Sequence, residues 1–199
     1  MAVEDVLLGL LAGFPDHQHI IRASPGDDGR VGQRVRRERS VPGVEIDQAA
    51  APFTAGNFLA HVDEGLFGAA HFYRVVRLDN QPNNDVLIEV IQGGLGFEAE
   101  SPRSPIEHET TAETGLRHID GALSMARLEP GSASSEFFIT IGDQPELDFG
   151  GARNPDGQGF AVFGQVVSGM DVVRAIQSGK ADGQMLIETV PITEIRRAP

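Results

Sequence analysis

Along most of this chain, apolar residues cluster in short blocks rather than long amphipathic stretches. Phe72–Val76, Val86–Ile91, Ala122–Ala126, Phe137–Ile141, Ala161–Val167 and Val190–Arg196 are rich in β-branched and aromatic residues. Loops dense in Gly, Pro, Asn and Asp separate them: 79–85, 101–105, 129–135 and 149–159. Short apolar blocks bounded by such breakers predict strands. Two segments instead carry helical spacing. In 51–65, Phe58, Leu59 and Val62 form a stripe, Pro52 opens the helix, Thr54 is its expected N-cap and Gly65 its stop. In 170–177, Met170, Val173 and Ile176 share one face, with Ser168 the expected cap and Gly179 the end. No internal repeat is visible. Short strands with only two helices predict an all-β, mainly antiparallel fold closed into a barrel, because closure removes free strand edges.

The N-terminal region behaves differently. Val6–Phe14 has the length of a signal-peptide apolar stretch, but Glu4 and Asp5 stand where positive charge should precede it, and no small-residue cleavage site follows. It is therefore not expected to be a signal peptide. Pro15–Ser40 is polar, rich in Gly and Arg and without periodicity, which predicts loop or disorder. The expected organisation is a poorly structured extension over 1–34 and one domain over 35–199. A length of 199 residues and 40% hydrophobic content suit one compact core.

Charge narrows the partners. Residues 1–43 carry six basic and six acidic side chains; 44–199 carry ten and twenty-three, and so hold the whole net charge of −13. An acidic domain repels phosphate backbones, so nucleic acid is not an expected partner. No stretch approaches the roughly 20 apolar residues of a membrane span. With no cysteine, thiol catalysis and disulfides are excluded. A reducing, cytoplasmic location is expected, with a periplasmic one as the alternative should the true N-terminus carry a signal. The six histidines lack metal-site spacing, so no metal is expected. Gly94-Leu95-Gly96 lacks the third glycine of a dinucleotide loop, and Gly131-Ser132-Ala133-Ser134 lacks the second glycine of a nucleophile elbow. Glu107 and Glu109 are read as solvated strand residues.

Four ordered segments are specific together. Phe72-Tyr73-Arg74-Val75-Val76 resembles the cyclophilin strand Phe-His-Arg-hydrophobic-hydrophobic, and Val90-Ile91-Gln92-Gly93-Gly94 resembles that family's hydrophobic-Gln-Gly-Gly segment. Gly121–Ala126 with Ser135–Ile139 resembles Gly-x-hydrophobic-Ser-Met-Ala followed by Ser-Gln-Phe-Phe-Ile, and Phe163–Met170 resembles Phe-Gly-x-Val-hydrophobic-x-Gly-Met. With Asn57-Phe58 upstream, the set covers about three quarters of the chain and is similar to the bacterial branch of the family.

The resemblance implies an eight-stranded cyclophilin-like β-barrel capped by two α-helices, with Val35–Arg39 and Val44–Asp47 as its first two strands. It implies cofactor-independent prolyl cis–trans isomerisation, proline-containing polypeptide substrates and a monomer. Arg74 matches the catalytic arginine and Gln92 a glutamine that bonds the substrate backbone. Val90, Phe138, Leu147 and Phe160 match residues around the proline ring, Ala126 and Arg127 the edge that pairs with the peptide, and Glu136 a glutamine that positions the arginine.

Several positions depart from the pattern. Anchored on Gln92, the alignment sets Glu89 in the place of a pocket phenylalanine, while the longer preceding loop leaves room for another residue there. Glu136 stands for a glutamine, Phe160 for a histidine and Glu146 for an aromatic residue linked to cyclosporin binding. A carboxylate at 136 is expected to pair with Arg74. Two carboxylates beside an apolar pocket predict reduced activity and a preference for a basic residue near proline. The rival reading is a catalytically weak module of the same fold that binds proline-containing segments as a chaperone or scaffold. An unrelated ligand-binding β-barrel would require the motif order to be coincidence.

Overall fold

The computed structural model describes residues 3–10, 42–97 and 99–198. In chain order the elements are β1 (Val3–Leu10), β2 (Gly43–Asp47), α1 (Pro52–Asp63), β3 (His71–Val76), β4 (Val90–Gly94), α2 (Thr111–Thr114) and β5 (Ala122–Met125). Then follow β6 (Phe137–Thr140), a 3₁₀ turn (Pro145–Leu147), β7 (Ala161–Ser168), α3 (Met170–Gln177), β8 (Ala181–Asp182) and β9 (Met185–Arg197). The strands form one sheet in the order β1-β2-β7-β5-β6-β4-β3-β9-β8, with β1 also paired to β9. All of these pairings are antiparallel.

The start of the domain corrects the expectation from sequence. The strand opposite β2 is β1, inside the stretch expected to be poorly structured, and it pairs Val6 with Val44 on one side and with Arg197 on the other. Periodicity cannot separate a strand from other roles for a short apolar run; two flanking partners can. The expected first strand, Val35–Arg39, lies outside the described residues, as does most of the 1–34 stretch. Elsewhere the boundaries move. The strand expected over 86–91 runs over 90–94, and the last strand begins at Met185. A short third helix, α2, accompanies the two expected. Its signal was present: Thr110 and Glu113 form a reciprocal capping box, and Gly115 closes the turn at φ 75°.

Strand alternation divides the sheet into two apolar faces. Ile91, Leu123, Met125, Phe137, Ile139 and Phe163 turn inward with Phe58 of α1. Phe58 is fully buried, and its ring centroid lies 5.1–5.5 Å from those of Phe67, Phe137 and Phe163. The opposite face carries a smaller cluster of Val76, Ile88, Val90, Phe138 and Leu147.

Both helix caps differ from expectation. Ala51, not Thr54, is the N-cap of α1, and it makes no side-chain bond. The buried Glu109 caps the helix from 55 residues away: its carboxylate accepts from Phe53 N (3.1 Å), Thr54 N (2.7 Å) and Thr54 Oγ1 (2.6 Å). Glu109 is thus not a solvated strand residue; an anion here satisfies orphan amides and complements the helix dipole. Gly169 is the N-cap of α3, and Ser168 Oγ instead accepts from Gly43 N, joining β7 to β2.

Two histidines are enclosed. His118 Nδ1 donates to Asp148 Oδ1 (2.7 Å), and Ser124 Oγ donates to His118 Nε2 (3.0 Å). This ties the 3₁₀ turn to β5 beneath Phe138, on which the imidazole stacks. His61 Nδ1 donates to Asn57 O, and its Nε2 is buried without a hydrogen-bond partner. Burial is the main cause that lowers both pKa values, outweighing the Asn57 carbonyl at His61 and the Asp148 carboxylate at His118. Asp148 is lowered too: burial, its largest influence, opposes the shift, and the His118 hydrogen bonds and the nearby charges together overcome it.

Two stability predictions follow from these contacts. Glu109→Ala lowers unfolding free energy by about 2 kcal/mol with an unchanged urea m-value, and Glu109→Gln recovers part of it. An unchanged urea midpoint in Glu109→Ala would exclude the cap. With folded pKa values below the ordinary 6.5, His61 and His118 stay neutral while the unfolded chain takes up protons. Stability is therefore complete above pH 6.5 and declines as pH falls below it, by up to about 1.4 kcal/mol per pH unit per histidine. Urea midpoints compared at pH 7.5 and 5.5 read this; equal midpoints would contradict it.

Candidate active site

The site begins with an irregularity in β3. Phe72 pairs with Gly93 and Arg74 with Gln92, so Tyr73 is one residue more than β4 provides. In a regular strand, neighbouring side chains point to opposite faces. The bulge lets consecutive residues converge: Arg74 Nη1 donates to Gln92 Oε1 (2.8 Å), and Gln92 Nε2 donates to Tyr73 Oη (2.9 Å). Phe72 and Val75 still reach the core, three residues apart, while Val76 joins the opposite face. Such bulges re-aim side chains beside functional sites.

Arg74 is held from a second side by a residue sequence reasoning missed. Gln184 Oε1 accepts from Arg74 Nη2 (2.6 Å) and Nε (3.0 Å). Gln184 lies with Gly183, at φ 56°, in the two-residue loop between β8 and β9. Its carbonyl accepts from Val75 N and its side-chain amide donates to Asn80 O, so the acceptor is pinned. The usable signal was Asp182-Gly183 as a hairpin turn, which places the next residue beside the neighbouring strand. Burial lowers the Arg74 pKa from its ordinary value, with Tyr73 opposing; an arginine stays protonated throughout.

Glu136 does not pair with Arg74, contrary to expectation. Its carboxylate accepts from Tyr73 Oη (2.5 Å), Gly96 N (3.0 Å) and Ser135 Oγ (3.2 Å). Burial and then the Glu136 contact raise the tyrosine pKa far above its ordinary value, so Tyr73 remains a phenol that donates to Glu136 and accepts from Gln92. Gly94 makes room: at φ 143°, a Cβ there would stand 2.6 Å from Glu136 Oε1.

Beside Arg74 opens a cavity of about 740 Å³. All nine residues singled out from sequence line it: Arg74, Val90, Gln92, Ala126, Arg127, Glu136, Phe138, Leu147 and Phe160. Phe138 and Phe160 meet edge to face at 5.2 Å. The Arg127 guanidinium lies 5.3 Å from the Phe160 centroid and is paired through both Nη atoms with Asp156 (2.8 and 3.0 Å). Ala126 N donates to Glu136 O (2.9 Å).

Of the three carboxylates at positions that depart from the pattern, Glu136 lines the cavity and the other two do not. Glu89 is absent from the cavity wall and accepts from Gln177 Nε2 (3.3 Å); Ile88 fills the wall instead. Glu146 is exposed, also off the wall, and accepts from Ala152 N (2.8 Å). Arg153, from the long loop before β7, is a further wall residue that sequence reasoning missed, because nothing in 149–159 marks which side chain turns inward. The Ser124–His118–Asp148 arrangement has the order of a nucleophilic triad, but Ser124 and His118 are at most 1% exposed and neither lines the cavity. It is structural. Among the described residues, no group of three or more His, Asp or Glu could hold a metal ion.

Residues 43–197 match the model of the family described as cyclophilin type peptidyl-prolyl cis-trans isomerase/CLD. Peptidyl-prolyl cis-trans isomerase B of Escherichia coli is 37% identical over 158 residues, covering 72% of this chain and 88% of the relative. Peptidyl-prolyl cis-trans isomerase cyp18 of Streptomyces antibioticus is 36% identical over 157 residues, covering 76% and 86%. A Cryptosporidium parvum cyclophilin type isomerase superposes at TM-score 0.69 with 17% identity, covering 100% of this chain and 99% of that one. A structure of the same parasite protein in the presence of the dipeptide Ala-Pro superposes at 0.65 with 20% identity, covering 81% and 94%. By sequence and by fold, the chain belongs to the cyclophilin-type peptidyl-prolyl cis–trans isomerase family.

Proposed function

We infer that this chain catalyses rotation about X–Pro peptide bonds, with Arg74 as the catalytic residue. The observation that carries the assignment is Arg74 held by two neutral amide oxygens at the edge of an apolar cavity sized for a proline ring and its neighbours. Amide resonance sets a rotation barrier of about 18–20 kcal/mol. Proline brings both isomers within reach but leaves their exchange slow. No bond needs to break; the site must hold the twisted amide better than either planar form.

Each group has a part in that task. Val90, Phe138, Leu147 and Phe160 enclose the proline ring and exclude water. In the twisted state the imide nitrogen regains its lone pair and becomes a better acceptor. A guanidinium has five N–H groups, and three of Arg74's are bonded to Gln92 and Gln184. Two remain to donate to that nitrogen, and the fixed positive charge stabilises the redistributed electrons. Gln92 positions Arg74 and, as in the resemblance, is placed to meet the substrate backbone. The Ala126–Arg127 edge pairs with the peptide chain. The rival reading, a catalytically weak binding module, drew on Glu89, Glu136 and Phe160; Glu89 is off the cavity wall, Glu136 is held by Tyr73 rather than Arg74, and Phe160 packs on Phe138 as part of the wall.

We further read the sheet as an eight-stranded barrel. The support is that β1 bonds to both β2 and β9, so the strand order returns to its start with only the two-residue β8 outside the ring.

Two outcomes test these assignments. Arg74→Ala reduces kcat/KM for a short X–Pro peptide by roughly 100-fold or more, with the urea midpoint nearly unchanged; activity within threefold of wild type would remove Arg74 from catalysis. Gln184→Leu lowers kcat by roughly 5–10-fold with KM little altered, because it disturbs the orientation of Arg74 and leaves the ring pocket intact. Gln184→Glu retains the acceptor but sets a counter-charge against Arg74, so kcat stays low although the arginine is held. Equal kcat in wild type and Gln184→Leu would show that Gln92 alone positions the arginine.

A further inference from the structure

Three carboxylates near the cavity are held in place. Glu136 is held by Tyr73, Gly96 and Ser135, Asp156 by Arg127, and Glu146 by the Ala152 amide. Two wall arginines, Arg74 and Arg153, have no carboxylate partner among the described residues. The wall carries three arginines against one carboxylate, Glu136, whose neutral partners leave its charge in place; with Arg127 paired to Asp156, one positive charge is in excess although the domain around it is strongly acidic.

Arg153 is built into place as firmly as Arg74, and again by neutral acceptors. Its Nη1 donates to Gln81 Oε1 (2.9 Å) and Val86 O (2.6 Å), and its backbone N donates to Glu146 O (3.1 Å). Gln81 is buried and is fixed in turn by the Arg77 and Ile88 carbonyls. The N–H groups on Arg153 Nε and Nη2 have no acceptor among the described residues. Burial lowers the Arg153 pKa, and the charge of Arg74 acts in the same direction. The free Nε–H and Nη2–H edge of Arg153, on the cavity wall, suits a carboxylate in geometry and charge.

We propose that Arg153 forms a carboxylate-recognition subsite beside Arg74 on the same wall, so that this isomerase favours X–Pro segments with a carboxylate adjacent to the proline. Its source is an Asp or Glu side chain on either side, or the chain-terminal carboxylate of the proline itself. The substrate class rests on the isomerase reading above and reverses the basic preference expected from sequence. The net charge of −13 opposes an anionic ligand at long range. At about 0.15 M salt the screening length is about 8 Å, so close contacts prevail over distant charges.

The experiment compares matched peptides by NMR exchange at pH 7.5 and 0.15 M salt: Glu against Gln before proline, Glu against Gln after proline, and a terminal Ala-Pro as free acid against amide. Wild type is expected to turn over the carboxylate member of at least one pair with a kcat/KM roughly 5–10-fold higher, and the responding pair identifies the source. Arg153→Gln brings that ratio close to one, and Arg153→Lys, which keeps the charge without the fork, retains part of it. Equal turnover within all three pairs by wild type would overturn the proposal, as would an unchanged ratio in a folded Arg153→Gln. Absence of turnover for every peptide would instead sink the isomerase reading. Affinities from the same titrations would then decide the carboxylate preference separately.

Discussion

The Gln92 side chain is the joint on which the site depends. Its oxygen fixes Arg74 and its nitrogen fixes Tyr73, two residues that an unbroken strand would send to opposite faces. The extra residue in β3 makes that convergence possible, and Gly93 and Gly94 make it compact. A Cβ at Gly93 would lie 2.9 Å from the His71 carbonyl and from the Phe72 ring. The Gln-Gly-Gly segment is thus one device: the glutamine organises the polar face, and the glycines let the neighbouring strand and Glu136 approach.

What surrounds this joint keeps a cation usable. A half-buried guanidinium needs hydrogen bonds, yet a carboxylate partner would neutralise its field and hold its donors. Here the acceptors are the amide oxygens of Gln92 and Gln184, which satisfy geometry without supplying a counter-charge. The carboxylate that might have competed, Glu136, is drawn off by Tyr73 and by the Gly96 amide. Arg153 repeats the solution with Gln81. Arg127, by contrast, is fully paired with Asp156 and acts as a brace beneath Phe160.

The sequence made the site's membership legible and hid its wiring. The resemblance of four ordered segments picked out Arg74, Val90, Gln92 and Phe138, because it matches residue types in order and carries no information on their contacts. The role of Glu136 was misread because which hydrogen bonds a carboxylate makes depends on its neighbours' positions, and the bulge at Tyr73 leaves no mark in the pattern. Glu89 was misplaced because alignment by spacing put it in the wall, whereas the longer loop before β4 puts Ile88 there. Gln184, Arg153 and Glu109 act across separations of 110, 67 and 55 residues. Contacts of that range have no local signature. The same holds for β1, whose identity as a strand rests on β2 and β9 flanking it.

The central claim is that the isomerised amide binds over Gln92, with the proline ring against Phe138 and beside Arg74. Its most direct test is a titration of ¹⁵N-labelled protein with an X–Pro peptide, following the backbone amides and the Arg74 Nε–H resonance. The account predicts shifts and exchange broadening at Gln92, Arg127, Phe138 and Phe160 and at Arg74 Nε–H, with the amides of Phe58 and Ile176 unmoved. Saturable binding that left Arg74 and Gln92 unperturbed would contradict it.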